Sequence, residues 1–324
     1  MSDLSEEIRT WLSSLDGYSF NKIEQVSSDA SFRNYFRAID DEKGSFIVMD
    51  SDPSLENNEK FMGVSNLLNQ ISMPIPCIHE QDNSGRYFLI SDLGQKTLFD
   101  CRKESKTEEF YNRAIELLVF MQANGSSLMN QLPQYDDSLL HSEMELFKEW
   151  FCFHELGLSV RQLEKIDFDH LFNHLAQRAN HQDRVLVHRD YHSRNIVISD
   201  KKEKLGLVDY QDAVCGPITY DIVSLLRDCY VKIELPKMHD MLRMYYDHLV
   251  KNQMTNKPLN EFMIDFDLMG AQRHLKAIGI FSRLKHRDNK EAYMNDIPLT
   301  MSYLKHLSKQ YEMIDGLMIQ LNLQ

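Results

Sequence analysis

A dense run of polar and ionisable side chains lies past the middle of the chain, and its spacing suits chemistry. It reads Val187-His188-Arg189-Asp190-Tyr191-His192-Ser193-Arg194-Asn195, which has the form H-R-D-x-x-x-x-N. Another aspartate, Asp209, follows the apolar residues 205–208. In phosphoryl transfer, a carboxylate orients the attacking hydroxyl, and hard oxygen ligands hold magnesium against nucleotide phosphates. The pattern therefore predicts Asp190 as the base and Asn195 and Asp209 as Mg²⁺ ligands.

The same run also allows a purely structural interpretation. Asp190 and Asn195 would then only cap turns in a polar surface loop. The second aspartate stands at the end of a β-like segment, and this placement favours the chemical interpretation.

The elements that must position this loop follow from hydrophobic periodicity. The first part of the chain reads as a short helix, three extended segments, a second helix and a fourth strand. Their predicted ranges are residues 3–15, 22–27, 32–39, 45–50, 56–70 and 87–91. This order describes a small α+β lobe at residues 1–92, with a hinge at residues 92–95.

Beyond the hinge the pattern becomes helical. Apolar residues three and four apart predict helices at residues 107–124, 139–156 and 160–180. Short strands follow at 184–188, 196–199 and 205–210, and helices then continue to the end of the chain. The sequence therefore predicts a large, mainly helical lobe at residues 93–324, with a short hairpin platform that carries the polar loop.

The segments around this loop resemble the aminoglycoside-phosphotransferase-like kinases, relatives of protein and choline kinases. More narrowly, they are similar to the bacterial anomeric kinases of N-acetylmuramate and N-acetylglucosamine, which serve cell-wall sugar recycling. The resemblance runs from about residue 25 to about residue 308. It rests on residues 29–33, 187–195, 208–213, 216–230, 269–276 and 279–281.

This resemblance implies an α+β, bilobal protein-kinase-like fold and an ATP-dependent transfer to a sugar hydroxyl. It also implies that Asp190 is the base and that Asn195 and Asp209 bind magnesium. Asp221 matches a family aspartate that braces the catalytic loop from the following helix; as an alternative, it stabilises that helix at its N-terminus. His188 and Arg189 are expected to buttress the loop rather than to act as acid or base.

The nucleotide side departs from ordinary kinase patterns. Kinase phosphate loops are rich in glycine, but the turn here reads Ser27-Ser28-Asp29-Ala30-Ser31. We expect Ser28 and Ser31 to contact phosphate, although a plain surface turn is an equal alternative. We place adenine against the backbone near Ile90, Ser91, Asp92 and Leu93, on the basis of the fold alone.

Methionine stands where a kinase strand carries its phosphate-binding lysine. The third extended segment reads Ser45-Phe46-Ile47-Val48-Met49-Asp50. Arg33 and Arg37 lie on one face of the preceding segment and are candidates to replace the lysine, unless both are simply solvated strand arginines. With the lysine absent, Glu56 and Glu59 are interpreted as ordinary carboxylates in the first turn of the next helix.

Polar side chains in the helical part are candidates for binding the acceptor. We name His192, Arg194, Gln272, Arg273, His274 and Arg283. A carboxylated sugar would need such a cation. The alternative for any single one of them is a place on a helix surface or in a hydrogen bond between helices.

Composition limits the remaining classes. The formal net charge of −13 disfavours binding to nucleic acid phosphates and to anionic membranes. Five cysteines without metal-ligand spacing indicate free thiols in a reducing compartment. The acidic N-terminus does not resemble a signal peptide, and no apolar run approaches the ~20 residues that span a bilayer. We therefore expect a cytoplasmic monomer or weak dimer.

The leading hypothesis is an ATP-dependent kinase of the anomeric hydroxyl of N-acetylmuramate, N-acetylglucosamine or both. A kinase for an aminoglycoside or an amino alcohol is the alternative within the same class. From a different class, the alternative is a catalytically silent nucleotide-binding protein. The missing lysine and glycines favour the silent protein, whereas the intact Asp190, Asn195 and Asp209 argue against it.

Overall fold

Contacts divide the chain in the computed structural model into two units. The structure describes residues 6–26, 32–199 and 203–323. The first unit combines Met1–Lys96 with Val197–Asp212, and the second combines Thr97–Ile196 with Ala213–Gln324. The predicted division after residue 92 therefore lies near the first crossing but misses the return of residues 197–212 to the first unit. Leu207 N donates to Pro74 O at 2.8 Å within that unit, which holds the returning segment there.

The described part of the first unit is built on a five-stranded antiparallel sheet with two helices. The helices are α1 (Glu6–Ser13) and α2 (Asn58–Gln70), and the sheet strands are β1 (Phe20–Gln25), β2 (Asn34–Asp40), β3 (Gly44–Asp50), β4 (Ile78–Gln81) and β5 (Tyr87–Ser91). The spatial order is β1-β2-β3-β5-β4. The short strand β6 (Lys96–Thr97) lies at the boundary of the unit, and β8 (Ile196–Ile198) pairs with β9 (Leu205–Leu207).

The alternation of β2 and the spacing of α1 build the core of this unit. Phe36 and Ala38 are two residues apart and are both buried, as the period of a strand requires. Ile8 and Leu12 are one helical turn apart and pack into the same cluster as these strand residues. Strand β4, which the sequence analysis missed, reads Ile-His-Glu-Gln and carries little apolar signal.

The second unit is mainly helical, and its described part ends at residue 323. Its helices are α3 (Thr107–Asn124), α4 (Asp137–Leu146), α5 (Val160–Leu163), α6 (Phe168–Asn180), α7 (Tyr220–Leu226), α8 (Leu235–Lys251), α9 (Leu259–His286), α10 (Ile297–Ser308) and α11 (Glu312–Gln320). Two 3₁₀ segments (Gly125–Gln131 and Glu291–Asp296) and a π-helix (Phe147–Glu155) complete the helical part. Strands β7 (Arg184–Val187) and β10 (Val214–Pro217) pair antiparallel. None of the helices in the described ranges has the length and apolar character needed to cross a membrane.

The long helix α9 is the centre of this unit, with 17 of its 28 residues buried. Its Gly279 lies directly against the backbone where α4 becomes the π-helix. A Cβ atom at this glycine would stand 2.4 Å from the carbonyl carbon of Leu146 and 2.5 Å from the nitrogen of Phe147. Only a residue without a side chain allows the two backbones to pack this closely.

Several predicted boundaries change in this unit. The helix predicted at 139–156 is α4 followed by the π-helix, and the helix predicted at 160–180 is interrupted between α5 and α6. Asp167 caps α6 by accepting from His170 N, which marks a new helix start inside a continuous apolar pattern. Strand β10 was missed because its Val-Cys-Gly-Pro sequence resembles a loop.

Candidate active site

The polar loop between β7 and β8 is held by Asp221, the second residue of α7. Its Oδ2 accepts from His188 N at 2.7 Å and its Oδ1 accepts from Arg189 N at 3.0 Å. Burial raises the pKa of Asp221 to about 7, although these two hydrogen bonds favour the carboxylate. These two hydrogen bonds tie the start of the loop to α7, and a bracing role for Asp221 in catalysis stays a prediction.

A second buried carboxylate, Asp228, holds the other end of the loop. Its Oδ2 accepts from Ser193 N at 3.0 Å and its Oδ1 accepts from Tyr230 N at 2.9 Å. No role was predicted for Asp228 from the sequence. Asp228 lies two residues after the end of α7, where no helical spacing relates it to Asp221.

Two of the predicted functional residues have a left-handed backbone. Arg189 has φ of 77° and Asp209 has φ of 64°. This region is unfavourable for a residue with a Cβ, and surrounding interactions must hold it. For Arg189, the hydrogen bond from its backbone N–H to Asp221 and an ion pair with Glu143 supply that restraint.

The proposed base, Asp190, is half-buried and lines a cavity of about 100 Å³ in the second unit. Burial alone would raise the pKa of its carboxyl group. The positive charges of Lys276, His192, Arg273 and Arg189 outweigh burial and hold the pKa below its usual range. Asp190 is therefore an ionised carboxylate at neutral pH, as a proton acceptor must be.

Two of these cations, Lys276 and Arg189, belong to a buried ionic cluster that was not predicted from the sequence. Glu143 of α4 accepts from Lys276 Nζ at 2.9 Å and from the Arg189 guanidinium. It also accepts from Tyr135 Oη, while Lys276 Nζ donates to Tyr220 Oη at 3.0 Å. The loop, α4 and α9 thus share one network, but these residues are so far apart in sequence that no local pattern reveals it.

Helix α9 presents only part of its predicted polar cluster to the cavity. Arg273, Lys276, Ala277 and Ile280 line it, with the spacing of a single helix face. Gln272 lies on another face, where its Nε2 donates to Glu143 Oε2 and to Tyr135 Oη, each at 3.2 Å.

His274 also lies outside the cavity lining. It is fully buried and bonded through Nε2 to Arg227 O at 3.0 Å. Burial lowers the pKa of its imidazole to about 3. His274 is therefore a neutral core histidine in the structure.

The remaining acceptor candidates divide between cavity and surface. His192 lines the cavity, and burial lowers the pKa of its ring. Arg194 is exposed and stacks on Tyr230, with 3.6 Å from its guanidinium carbon to the ring centroid. Arg283 lies seven residues beyond Lys276 on α9 and is not among the residues that line the cavity.

On the nucleotide side, Ser28 and Ser31 lie outside the described residues. Arg33 is buried, donates from Nε to Ser51 Oγ at 3.2 Å, and lies 3.6 Å from Glu56. Glu56 precedes α2 and is therefore not a first-turn carboxylate, contrary to the sequence analysis, because Asn57 caps the helix at Asn58. The first unit thus pairs an arginine with a glutamate just before α2.

The predicted hinge has a structural ion pair of its own. Arg37 Nε donates to Asp92 Oδ2 at 2.6 Å, and Asp92 also accepts from Ser45 Oγ at 2.7 Å and from Gly94 N at 3.0 Å. Burial raises the pKa of Asp92, but these bonds outweigh it and the pKa is lowered.

The Asp92 side chain is therefore engaged within the first unit. The Ile90 side chain is buried. Any contact of Asp92 with a nucleotide would therefore come from its backbone.

The predicted metal ligands fit magnesium by their donor chemistry. Asn195 Nδ2 donates to Asp190 O at 3.1 Å, and the atom of this side chain with metal-binding chemistry is its amide oxygen. Asp209 is exposed, and its Oδ1 accepts from Gln211 Nε2 at 2.8 Å. Within the described ranges, no three His, Cys, Asp or Glu residues converge as a metal cluster. Magnesium needs no such cluster, because it takes one or two protein oxygens together with phosphate and water.

The chain is similar to known proteins over most of its length. The model of the phosphotransferase enzyme family matches residues 22–253. The N-acetylmuramate/N-acetylglucosamine kinase of Pseudomonas putida is 38% identical over 286 residues, which cover 87% of this chain and 82% of that protein. The kinase with the same name from Neisseria meningitidis serogroup B is 32% identical over 317 residues, covering 94% of this chain and 91% of that protein.

Solved structures with the same fold include aminoglycoside phosphotransferases. ADP-bound APH(2'')-Ib has a TM-score of 0.62 at 17% identity, covering 92% of this chain and 97% of that chain. The GDP complex of aminoglycoside 2'-phosphotransferase-IIIa has a TM-score of 0.66 at 12% identity, covering 93% and 98%. At such identities the likeness confirms the predicted protein-kinase-like α+β fold. Together with the family match, it places the chain in the phosphotransferase enzyme family.

Proposed function

We propose that this protein transfers the γ-phosphate of ATP to the anomeric hydroxyl of an N-acetylated amino sugar, either N-acetylmuramate or N-acetylglucosamine. The observation that carries the proposal is the ionised Asp190 beside a cation-lined cavity, in a chain 38% identical to a kinase named for these two sugars. A role in cell-wall sugar recycling belongs to the same proposal.

In this proposal Asp190 accepts the proton of the sugar hydroxyl. An anomeric hydroxyl is more acidic than other sugar hydroxyls, so a carboxylate of lowered pKa is a sufficient base. Asp221 and Asp228 hold the loop through three of its backbone amides, those of His188, Arg189 and Ser193, and so help to position Asp190.

Asn195 and Asp209 would hold Mg²⁺, which neutralises charge on the nucleotide phosphates when bound. Arg33 and Arg37 are the proposed substitutes for the missing strand lysine. Because both already pair with carboxylates, they would contribute to phosphate binding as parts of ion pairs.

Electrostatics favour a sugar over the alternative acceptors. Arg273 and Lys276 both line the cavity with Asp190. An aminoglycoside is a polycation and would be repelled by this pair, whereas a neutral or anionic sugar would not.

The test is ADP formation with ATP, magnesium and a panel of acceptors. The panel comprises N-acetylmuramate, N-acetylglucosamine, glucose, an aminoglycoside and ethanolamine. The proposal predicts that one or both N-acetylated sugars turn over at least tenfold faster than every other acceptor. Faster turnover of the aminoglycoside or of ethanolamine would contradict it.

A further inference from the structure

One buried cation beside Asp190, Arg273, forms no ion pair with a carboxylate among the residues that the structure describes. Arg273 is only 6% exposed, and its Nη1 lies 3.8 Å from Cys229 Sγ. Its Nε has no hydrogen-bond partner among the described residues. A guanidinium carries a permanent charge and five donors, so burying it without an acceptor is costly.

Two other buried cations of the second unit, Lys276 and Arg227, do pair with carboxylates. Lys276 lies 2.9 Å from Glu143, and Arg227 forms an ion pair with Asp267. The carboxylate of Asp228 near Arg273 is occupied by backbone amides. Arg273 therefore differs from its neighbours in that its charge is directed to a cavity instead of to a fixed anion.

The cavity is small and has both a charged and an apolar wall. Its volume of about 100 Å³ corresponds to roughly three water molecules, so it suits a substituent of a sugar and not the whole ring. Ile280 and Phe281 supply apolar lining beside Arg273. A short carboxylate that carries a methyl group has the matching chemistry.

We propose that Arg273 binds a carboxylate of the acceptor and makes the protein selective for the carboxylated sugar over its neutral counterpart. This inference rests on the proposed function. Of the two sugars, N-acetylmuramate carries a lactyl carboxylate and is the preferred acceptor, whereas N-acetylglucosamine lacks it. The planar fork of the guanidinium matches two carboxylate oxygens at once.

The test compares kcat/KM for the two sugars in the wild type and in Arg273→Met. A hydrogen bond to a charged group corresponds to roughly 10- to 100-fold in affinity. We expect the ratio of kcat/KM for N-acetylmuramate to that for N-acetylglucosamine to fall by about this factor in the variant, and by less in Arg273→Lys. Any effect of Arg273 on Asp190 or on folding cancels in this ratio. An equal loss with both sugars would overturn the proposal.

Arg283→Met is the matched comparison, because Arg283 is on the same helix and does not line the cavity. A selective loss in Arg283→Met, with an unchanged ratio in Arg273→Met, would also overturn the assignment. The wild type supplies a test that needs no variant. The amide of the lactyl group should react roughly 10- to 100-fold less efficiently than the free acid, and equal reaction would contradict the proposal.

Calorimetry of each sugar separates this inference from the proposed function. Tighter binding of N-acetylmuramate without turnover would contradict the proposed function alone. Turnover of both sugars without a preference for the carboxylated one would contradict only the role of Arg273. Absence of both binding and turnover would contradict both.

Discussion

The ionisation of Asp190 decides the chemistry at the scale of single residues. Four basic side chains, all within the second unit, lower the pKa of its carboxyl group against the effect of burial. Two of them, His192 and Arg189, belong to the same loop and were visible in the sequence. The other two, Lys276 and Arg273, come from α9, and their proximity depends on the tertiary fold.

Replacement of Asp190 tests its role as the general base. We expect Asp190→Asn to lower kcat by roughly 10²- to 10⁴-fold, because an amide cannot accept the proton of the sugar hydroxyl. Asp169→Asn removes an exposed aspartate of the same unit and should retain wild-type activity. Steady-state kinetics and circular dichroism of both variants provide the measurement. Wild-type turnover by Asp190→Asn would remove this residue from the mechanism.

The lowered pKa of Asp190 also predicts a pH dependence. A general base is active only when it is deprotonated, so kcat/KM should fall as pH falls through the pKa of Asp190. Because this pKa is lowered, we expect this acid limb of the pH profile to lie below the usual aspartate range. Lys276→Met removes the cation that does most to lower the pKa of Asp190, and it should move the limb to higher pH. Lys285→Met, on the same helix but paired with Glu155, should not move it. N-acetylglucosamine is the suitable substrate because it does not titrate, and an unmoved limb in Lys276→Met would contradict the electrostatic assignment.

The metal proposal also belongs to single residues. We expect chelation of divalent metal to abolish turnover, and Asp209→Asn to raise the magnesium concentration needed for half-maximal activity by about tenfold or more, since a neutral amide is a weaker ligand. Asp212→Asn removes the same charge three residues later, where it pairs with Lys60. The two magnesium titrations should therefore differ, and identical titrations would count against Asp209 as a ligand.

At the scale of elements, the sequence located most helices and strands but not their interruptions. Strand β5 and helix α3 have the predicted bounds, because their apolar periodicity and their boundary residues coincide. The π-helix was not predictable, since a pattern with a period of 3.6 residues extends across it. Its start at Phe147 coincides with the backbone contact of Gly279, which belongs to an element more than a hundred residues away in sequence.

This close approach predicts a stability effect. Gly279→Ala would place a Cβ inside the backbone of Leu146 and Phe147, so we expect a loss of roughly 1–3 kcal/mol in the free energy of unfolding. Gly316→Ala in α11 brings its new Cβ within 4 Å of no atom in the described part of the chain, and it should be neutral or stabilising by up to about 1 kcal/mol. Urea denaturation gives the free energy of unfolding of each variant. Equal values for the two variants would show that the backbone contact at Gly279 does not exclude a side chain.

At the scale of the whole molecule, charge is distributed unevenly. The chain has a formal net charge of −13, yet the cavity beside Asp190 is lined by Arg273 and Lys276. The overall negative charge does not predict this positively charged cavity, because composition does not say where each charged residue lies in the fold. Family resemblance located the loop and the α9 segment, but it did not distinguish Arg273, which lines the cavity, from Gln272 and His274, which do not.

Phosphorus NMR of the reaction product tests the central claim most directly. The protein is incubated with ATP, magnesium and each N-acetylated sugar in turn, and the position of the new phosphate is read from its coupling to the sugar protons. The proposed function predicts a sugar 1-phosphate whose phosphorus couples to the anomeric proton, and no such product with Asp190→Asn. A phosphate on the 6-hydroxyl, or no sugar phosphate alongside rapid phosphorylation of an aminoglycoside, would contradict it.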